Sequence, residues 1–141
     1  MQKFIVDDIA QVKGLMVKIT ALCGTKVTFI DENGKTGSAK PEDLQPVMIS
    51  PEVLEVFKFN EGVLGDIDQP MWSKFWQGDN NQQVSVETWP KEYQDTNSTT
   101  WMVRINSPYN NLNCEVHAIH EIQHCAMSSN LNDNIFELPV T

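Results

Sequence analysis

Met71-Trp72-Ser73-Lys74-Phe75-Trp76, Val84-Ser85-Val86-Glu87-Thr88-Trp89 and Thr100-Trp101-Met102-Val103-Arg104-Ile105 fall within one stretch of the chain, Val63 to Ser107, and decide its fold. Each run is rich in β-branched and aromatic residues, the composition that suits a pleated, half-buried surface. Gly78-Asp79-Asn80-Asn81 and Gln94-Asp95-Thr96-Asn97-Ser98 separate them, and such polar, Gly- and Asn-bearing segments are turn formers. The stretch therefore reads as an antiparallel meander.

Upstream, the pattern is again that of short strands. Val17, Ile19 and Ala21 alternate with Lys18 and Thr20, and Val27 and Phe29 alternate with Lys26 and Thr28. Leu22-Cys23-Gly24-Thr25 is a turn, and Asp31-Glu32-Asn33-Gly34 is a hairpin connection whose residues tolerate positive φ. Three such strands bury too little alone, so a bent sheet or partial barrel closed by Phe4-Ile5-Val6 is expected. The connector over residues 40–49 holds Pro41 and Pro46, which prevent a regular helix.

A helix start follows. Ser50 is a hydrogen-bond acceptor at the N-cap, Pro51 at the first helical position loses no bond, and Glu52 complements the helix dipole. Val53, Leu54, Val56 and Phe57 supply its apolar side before Asn60 and Gly62, giving about two turns. A second helix is expected from Asn113 to about Met127, with Val116, Ile119, Ile122 and Ala126 along one side. Ile135-Phe136-Glu137-Leu138 reads as an edge strand or a segment that packs down. The expected class is α+β: a small N-terminal β unit over 1–47, then an α+β unit over 48–141 with the C-terminal helix on its sheet, or both as one continuous domain.

Composition limits the function. The chain has 141 residues, 40% hydrophobic and 21% charged, with a formal net charge of −9, which describes an ordinary globular chain. No run approaches the ~20 apolar residues of a membrane span. The N-terminus turns acidic at Asp7-Asp8 before a signal-type apolar region develops, so a cytoplasmic location is expected. The acidic balance and scattered Lys and Arg disfavour nucleic acid as a partner. Cys23, Cys114 and Cys125, an odd number at irregular spacing, do not form a disulfide framework.

One motif could carry chemistry. His120-Glu121-Ile122-Gln123-His124 fits H-E-x-x-H, in which two histidines one helical turn apart bind zinc and the glutamate activates the bound water. His117 adds a third imidazole: residues 117, 120 and 124 are spaced i, i+3, i+7, so all three are expected on one helical face. Against this, a catalytic zinc usually takes its third ligand from another segment, where only Asp133 and Glu137 follow His124. The extended motif also needs histidine where Asn130 stands. The histidine face lies well over a right angle from the Val116/Ile119/Ile122/Ala126 stripe and is expected nearer solvent than a walled cleft. Neither a metal nor a catalytic residue is favoured, with zinc held by His117, His120 and His124, and Glu121 as base, kept as the alternative.

Weaker candidates include Cys125 beside His124 and the acids Asp66 and Asp68 in a turn-like segment. Trp72, Trp76, Tyr93 and Tyr109 are the candidate binding residues, as a stacking platform or as hot spots for a protein partner or a small ligand. Most tryptophans are expected in the core, and Tyr93 and Tyr109 beside polar turns to be the exposed ones.

Leu44-Gln45-Pro46-Val47, Ser50-Pro51-Glu52-Val53-Leu54, Lys58-Phe59 and Val116-His117-Ala118-Ile119-His120-Glu121-Ile122 occur in that order. In this the chain resembles a family of small, mostly uncharacterised proteins of Bacteroidetes and of their phages and mobile elements. That family carries Leu-x-Pro-Ile, then Thr/Ser-Pro-Glu-x-Leu leading to Gly-Phe, then Val-His-x-Leu-Gln-Asn-Leu, and the match spans most of the chain. Lys58 departs from the Gly, and His120-Glu121 from the Gln-Asn. The resemblance implies an origin and an architecture and brings no catalytic residues. The function expected is a non-enzymatic binding or adaptor protein of such an element, inhibiting or sequestering a host component such as a defence factor in the infected cell, or acting as a minor virion protein. A zinc-dependent hydrolase is the alternative.

Overall fold

The computed structural model describes residues 3–65, 68–77, 83–106, 111–128 and 137–138, which form two antiparallel sheets and two short helices. The α+β class is as the sequence reads, with boundaries that differ in instructive ways.

The first sheet has four strands in sequential order: β1 (Ile9–Val12), β2 (Leu15–Cys23), β3 (Lys26–Asp31) and β4 (Thr36–Ala39). The first strand is therefore not Phe4-Ile5-Val6 but the segment after it. Lys13 and Gly14 make the difference: with φ of 52° and 81° they form a two-residue turn that pairs Val12 with Leu15. A register shift between Ile19 and Ala21 interrupts the β2–β3 ladder, an irregularity of the β-bulge kind. The β3–β4 turn is built by Asp31, whose Oδ1 accepts from the backbone N–H of Asn33 and of Lys35 at 2.9 and 3.0 Å, with Gly34 at φ 80°. Across from Phe29, position 37 is Gly, and a Cβ there would sit 2.8 Å from the Phe29 ring and force it to shift.

Helix α1 (Pro51–Val56) starts as expected. The Ser50 hydroxyl accepts from the Val53 N–H at 3.2 Å, and Leu54 is fully buried. Its end lies earlier than Asn60: the Phe59 N–H reaches back to the Leu54 carbonyl at 3.0 Å while Lys58 adopts φ 70°. This is a Schellman-type stop with a lysine where glycine is the low-cost choice. Val56, expected on the apolar side, is 40% exposed.

The second sheet runs β5 (Asn60–Val63), β6 (Pro70–Gln77), β7 (Gln83–Pro90), β8 (Trp101–Asn106) and β9 (Asn111–Val116) in sequential order. The three runs quoted at the outset are β6, β7 and β8. The expected helix start at Asn113 is wrong: residues 111–116 pair with β8, Val103 opposite Cys114 and Trp101 opposite Val116. Leu112, Cys114 and Val116 alternate with exposed Asn111, Asn113 and Glu115, a strand period that Val116 shares with the helical stripe. Helix α2 is Ile119–Ser128, and its Ile119, Ile122, Cys125 and Ala126 join the core of the second sheet with Trp72, Val86, Trp101, Val103 and Ile105. Of the last segment, residues 135–136 lie outside the described residues; Leu138 packs against this core.

Residues 44–49 and 4–9 stitch the sheets together. Gln45 exchanges backbone hydrogen bonds with Gln11 of β1, and three residues later Met48 bridges Ala118 at the head of α2. Ile9, the first residue of β1, belongs to the core of the second sheet. The four-stranded sheet keeps a smaller core of its own around Ala10, Val12, Val17, Ile19, Val27, Phe29 and Leu44, the last supplied by the segment after a 3-10 turn at Pro41–Asp43. Among the described residues no helix is long and apolar enough to cross a membrane.

Candidate functional site

The H-E-x-x-H residues sit where the two sheets meet. Residues 4–9 cross over the face of α2 that the sequence reading leaves nearest solvent, so that expectation is corrected: His120 is fully buried and Glu121 is 4% exposed. Phe4 lies on the His120 ring with centroids 4.3 Å apart, and the His120 and His124 rings meet edge to face at 5.5 Å. The crossing segment is held by its backbone. Gln123 Oε1 accepts from the Ile9 N–H at 2.8 Å, and its Nε2 donates to the Asp7 carbonyl at 3.0 Å.

Glu121 is engaged at the start of its own helix. Its Oε1 accepts from the His117 backbone N–H at 2.8 Å and lies 3.4 Å from His117 Nδ1, satisfying an amide ahead of the first turn as a capping glutamate does. His117 precedes α2, so the expectation that three imidazoles share one helical face does not hold. His124 Nε2 lies 2.8 Å from Asp8 Oδ2, which also accepts from the Ile5 N–H at 2.8 Å. Burial pushes the Asp8 carboxyl above its ordinary range, opposed by the Ile5 N–H and by His124. Among the described residues no three His, Cys, Asp or Glu side chains converge as a metal-holding group.

Comparison with protein-family models, curated proteins and solved structures finds no match.

Geometry then has to separate the remaining candidates. Trp72 is 2% exposed and packs on Trp101 with ring centroids 5.6 Å apart, so it is a core residue and not part of a surface platform. Trp76 lies in β6 opposite Val84, with its side chain outside the described residues, as is Tyr109 altogether. Tyr93 is 64% exposed. Its loop is fastened from below: the Gln94 N–H and the Pro90 carbonyl bond the two ends of the buried Gln69 amide, and Gln94 adopts φ 59°. Asp66 lies outside the described residues, and the Asp68 carbonyl accepts from Gln94 Nε2. Burial and the neighbouring Cys114 thiol push Cys125 far up, which keeps it a protonated core thiol and not a nucleophile.

Two surfaces escape a reading by local pattern. The first is the outer face of β6 to β8. Phe75 is 58% exposed there. The Arg104 guanidinium lies 5.4 Å from the Trp89 ring centre and bonds Glu87 at 2.8 Å, and Asn106 Nδ2 donates to the other Glu87 oxygen. The register places Ser73, Glu87, Arg104 and Asn113 in one row across the strands, and Phe75, Ser85, Asn106 and Asn111 in the next. Alternation marks these as outward residues; the cross-strand network needs the register. The second is a cleft of about 330 Å³ on the four-stranded sheet, lined by residues from Val12 to Asp43. No short motif announces it, because its walls come from two hairpins.

Proposed function

We propose that the protein is a non-enzymatic binding or adaptor protein of a Bacteroidetes phage or related mobile element, taking a protein partner on the outer face of its five-stranded sheet. Its place of action on this reading is the cytoplasm of the infected cell, with a minor virion role as the variant. The origin rests on the order of short motifs from Leu44 to Ile122. The non-enzymatic part rests on one observation: Glu121 and His124, the two residues a zinc hydrolase needs most, are engaged in internal bonds to His117 and Asp8. A base that caps its helix and a ligand held by a buried carboxylate would both have to let go before any metal chemistry could begin.

What favours the sheet face is its composition and stiffness. An exposed phenylalanine, a tryptophan under a guanidinium and a hydrogen-bonded Glu-Arg-Asn row give aromatic contact area with side chains already ordered, which lowers the entropic cost of docking. The test is paired. Affinity purification from a Bacteroidetes host expressing the protein is compared with the Phe75→Ser and Arg104→Ala variants, both checked for native circular dichroism. A partner retained by wild type and lost by both variants supports the reading; one retained equally by all three removes the face from it. Glu121→Gln addresses the hydrolase: it abolishes a zinc enzyme's turnover and leaves partner binding unchanged.

A further inference from the structure

The four-stranded sheet carries charges around an apolar floor that its own fold leaves unused. Val12, Val17 and Phe29, all nearly or fully buried, floor the cleft of about 330 Å³, which lies in the size range of small-ligand sites. Residues of two hairpin turns contribute to its lining. Lys13 comes from the β1–β2 turn and Lys35 from the β3–β4 turn, while Asp43 closes the side where the 3-10 turn ends. Asp31 is the charged group set deepest, at 8% exposed. Its Oδ1 is committed to the Asn33 and Lys35 amides, and among the described residues Oδ2 takes no hydrogen bond. Neither Lys13 nor Lys35 nor Asp43 has an ion-pair partner among the described residues. Asp31 Oδ2, the oxygen the turn does not use, is open to accept from a ligand's ammonium group, and a charge-assisted bond of that kind is among the stronger ones. The ammonium groups of Lys13 and Lys35, which also line the cleft, would in turn hold an anion.

We propose that this cleft is a binding site for a small zwitterion with an apolar body, of the class of an apolar α-amino acid. Its ammonium group is set against Asp31 Oδ2 and Asp43, its carboxylate against Lys13 and Lys35, and its side chain on Leu15, Val12 and Phe29. An amine alone satisfies only the acidic side and a carboxylic acid only the basic side, so the zwitterion binds more tightly than either half. The site is separate from the five-stranded sheet face and does not depend on it.

The test is an NMR titration of isotopically labelled protein with three probes: L-leucine, 3-methylbutylamine and 4-methylpentanoate. L-Leucine is expected to give saturable shifts confined to the amides of residues 12–17, 29–31 and 35–39, with a Kd on the order of 1 mM or tighter for so few atoms. Each half-probe is expected to bind at least about 10-fold more weakly, since each leaves one charged side of the cleft unmatched. Asp31→Asn keeps the Oδ1 acceptor that builds the turn and is expected to weaken L-leucine about 10-fold or more. The double variant Lys13→Gln, Lys35→Gln lies outside that turn bonding, is expected to weaken L-leucine to a similar extent, and decides the matter if Asp31→Asn disturbs the native spectrum. Non-saturating shifts, a half-probe that binds as tightly as L-leucine, or a lysine-pair variant that binds like wild type would each overturn the proposal.

Discussion

Gln123→Ala is the most informative single perturbation of this fold. Gln123 faces a segment more than a hundred residues away in sequence and supplies both an acceptor to the Ile9 N–H and a donor to the Asp7 carbonyl. Ile9 is fully buried, so its amide finds no water to replace the lost acceptor. An orphaned buried donor costs about 1–3 kcal/mol, and losing the second bond about 0.5–1.5 more. The expected destabilisation is therefore about 2–4 kcal/mol, a lowering of Tm by very roughly 6–15 °C for a chain of this size. Equilibrium urea unfolding followed by tryptophan fluorescence reads it directly, with the m-value checked for constancy so that the midpoint shift reports stability. Gln123→Glu separates packing from hydrogen bonding: it keeps the acceptor for Ile9 and turns a carboxylate oxygen toward the Asp7 carbonyl, so it too is expected to destabilise. A loss below about 0.5 kcal/mol in Gln123→Ala would refute the assignment of this side chain as the fastening between the helix and the crossing segment.

Three further outcomes are expected. Burial raises the Asp8 carboxyl above its ordinary value of 3.8, so the folded state holds that proton more tightly than the unfolded state. Stability then falls as pH rises from the ordinary range through the raised one, and Asp8→Asn, which fixes a neutral group, should flatten that slope in urea midpoints between pH 3 and 7; an unchanged slope would contradict it. Lys58→Gly relieves a left-handed backbone at the end of α1 and is expected to stabilise by about 0.5–1 kcal/mol in the same assay, with an unchanged or lower midpoint as the contrary result. Glu121→Ala removes the acceptor for the His117 amide and is expected to cost about 1 kcal/mol. Glu121→Gln keeps an amide oxygen there and should stay within about 0.5 kcal/mol of wild type; equal losses in the two variants would speak against the capping role.

Local pattern carried β2, β3, β6 to β8 and the first helix, because Trp72, Val86 and Val103 face inward at the period of two that the pleat imposes, and Ser50-Pro51-Glu52 satisfies a helix start with no outside help. It failed where one residue fits two periods. Val116 ends a strand and also lies in register with Ile119 and Ile122, and only its pairing with Trp101 decides between them. It failed again for the histidines. A helical wheel separates an apolar from a polar side; it does not reveal that residues 4–9 return to cover the polar one. The first strand went unread because Lys13-Gly14 is not one of the Asn-Gly or Asp-Gly pairs that announce a tight hairpin, although Val12 and Leu15 pair across it. The cleft was illegible for a different reason: Val12, Phe29, Asp31 and Asp43 become neighbours only after two hairpins and a 3-10 turn are in place.

The hydrogen bonds from Gln123 and His124 to residues 7–9 span 114 to 116 positions of chain. On a translating ribosome that separation is also a waiting time. At about 5–20 residues per second, roughly 6–23 s pass between the emergence of Asp8 and that of its histidine. Until then Asp8 can remain ionised and wet, and Ile9 must stand uncovered at the edge of a completed hairpin. A nascent chain of this protein therefore offers chaperones an apolar strand edge that the folded molecule conceals, and that edge is covered only when α2 closes over residues 4–9.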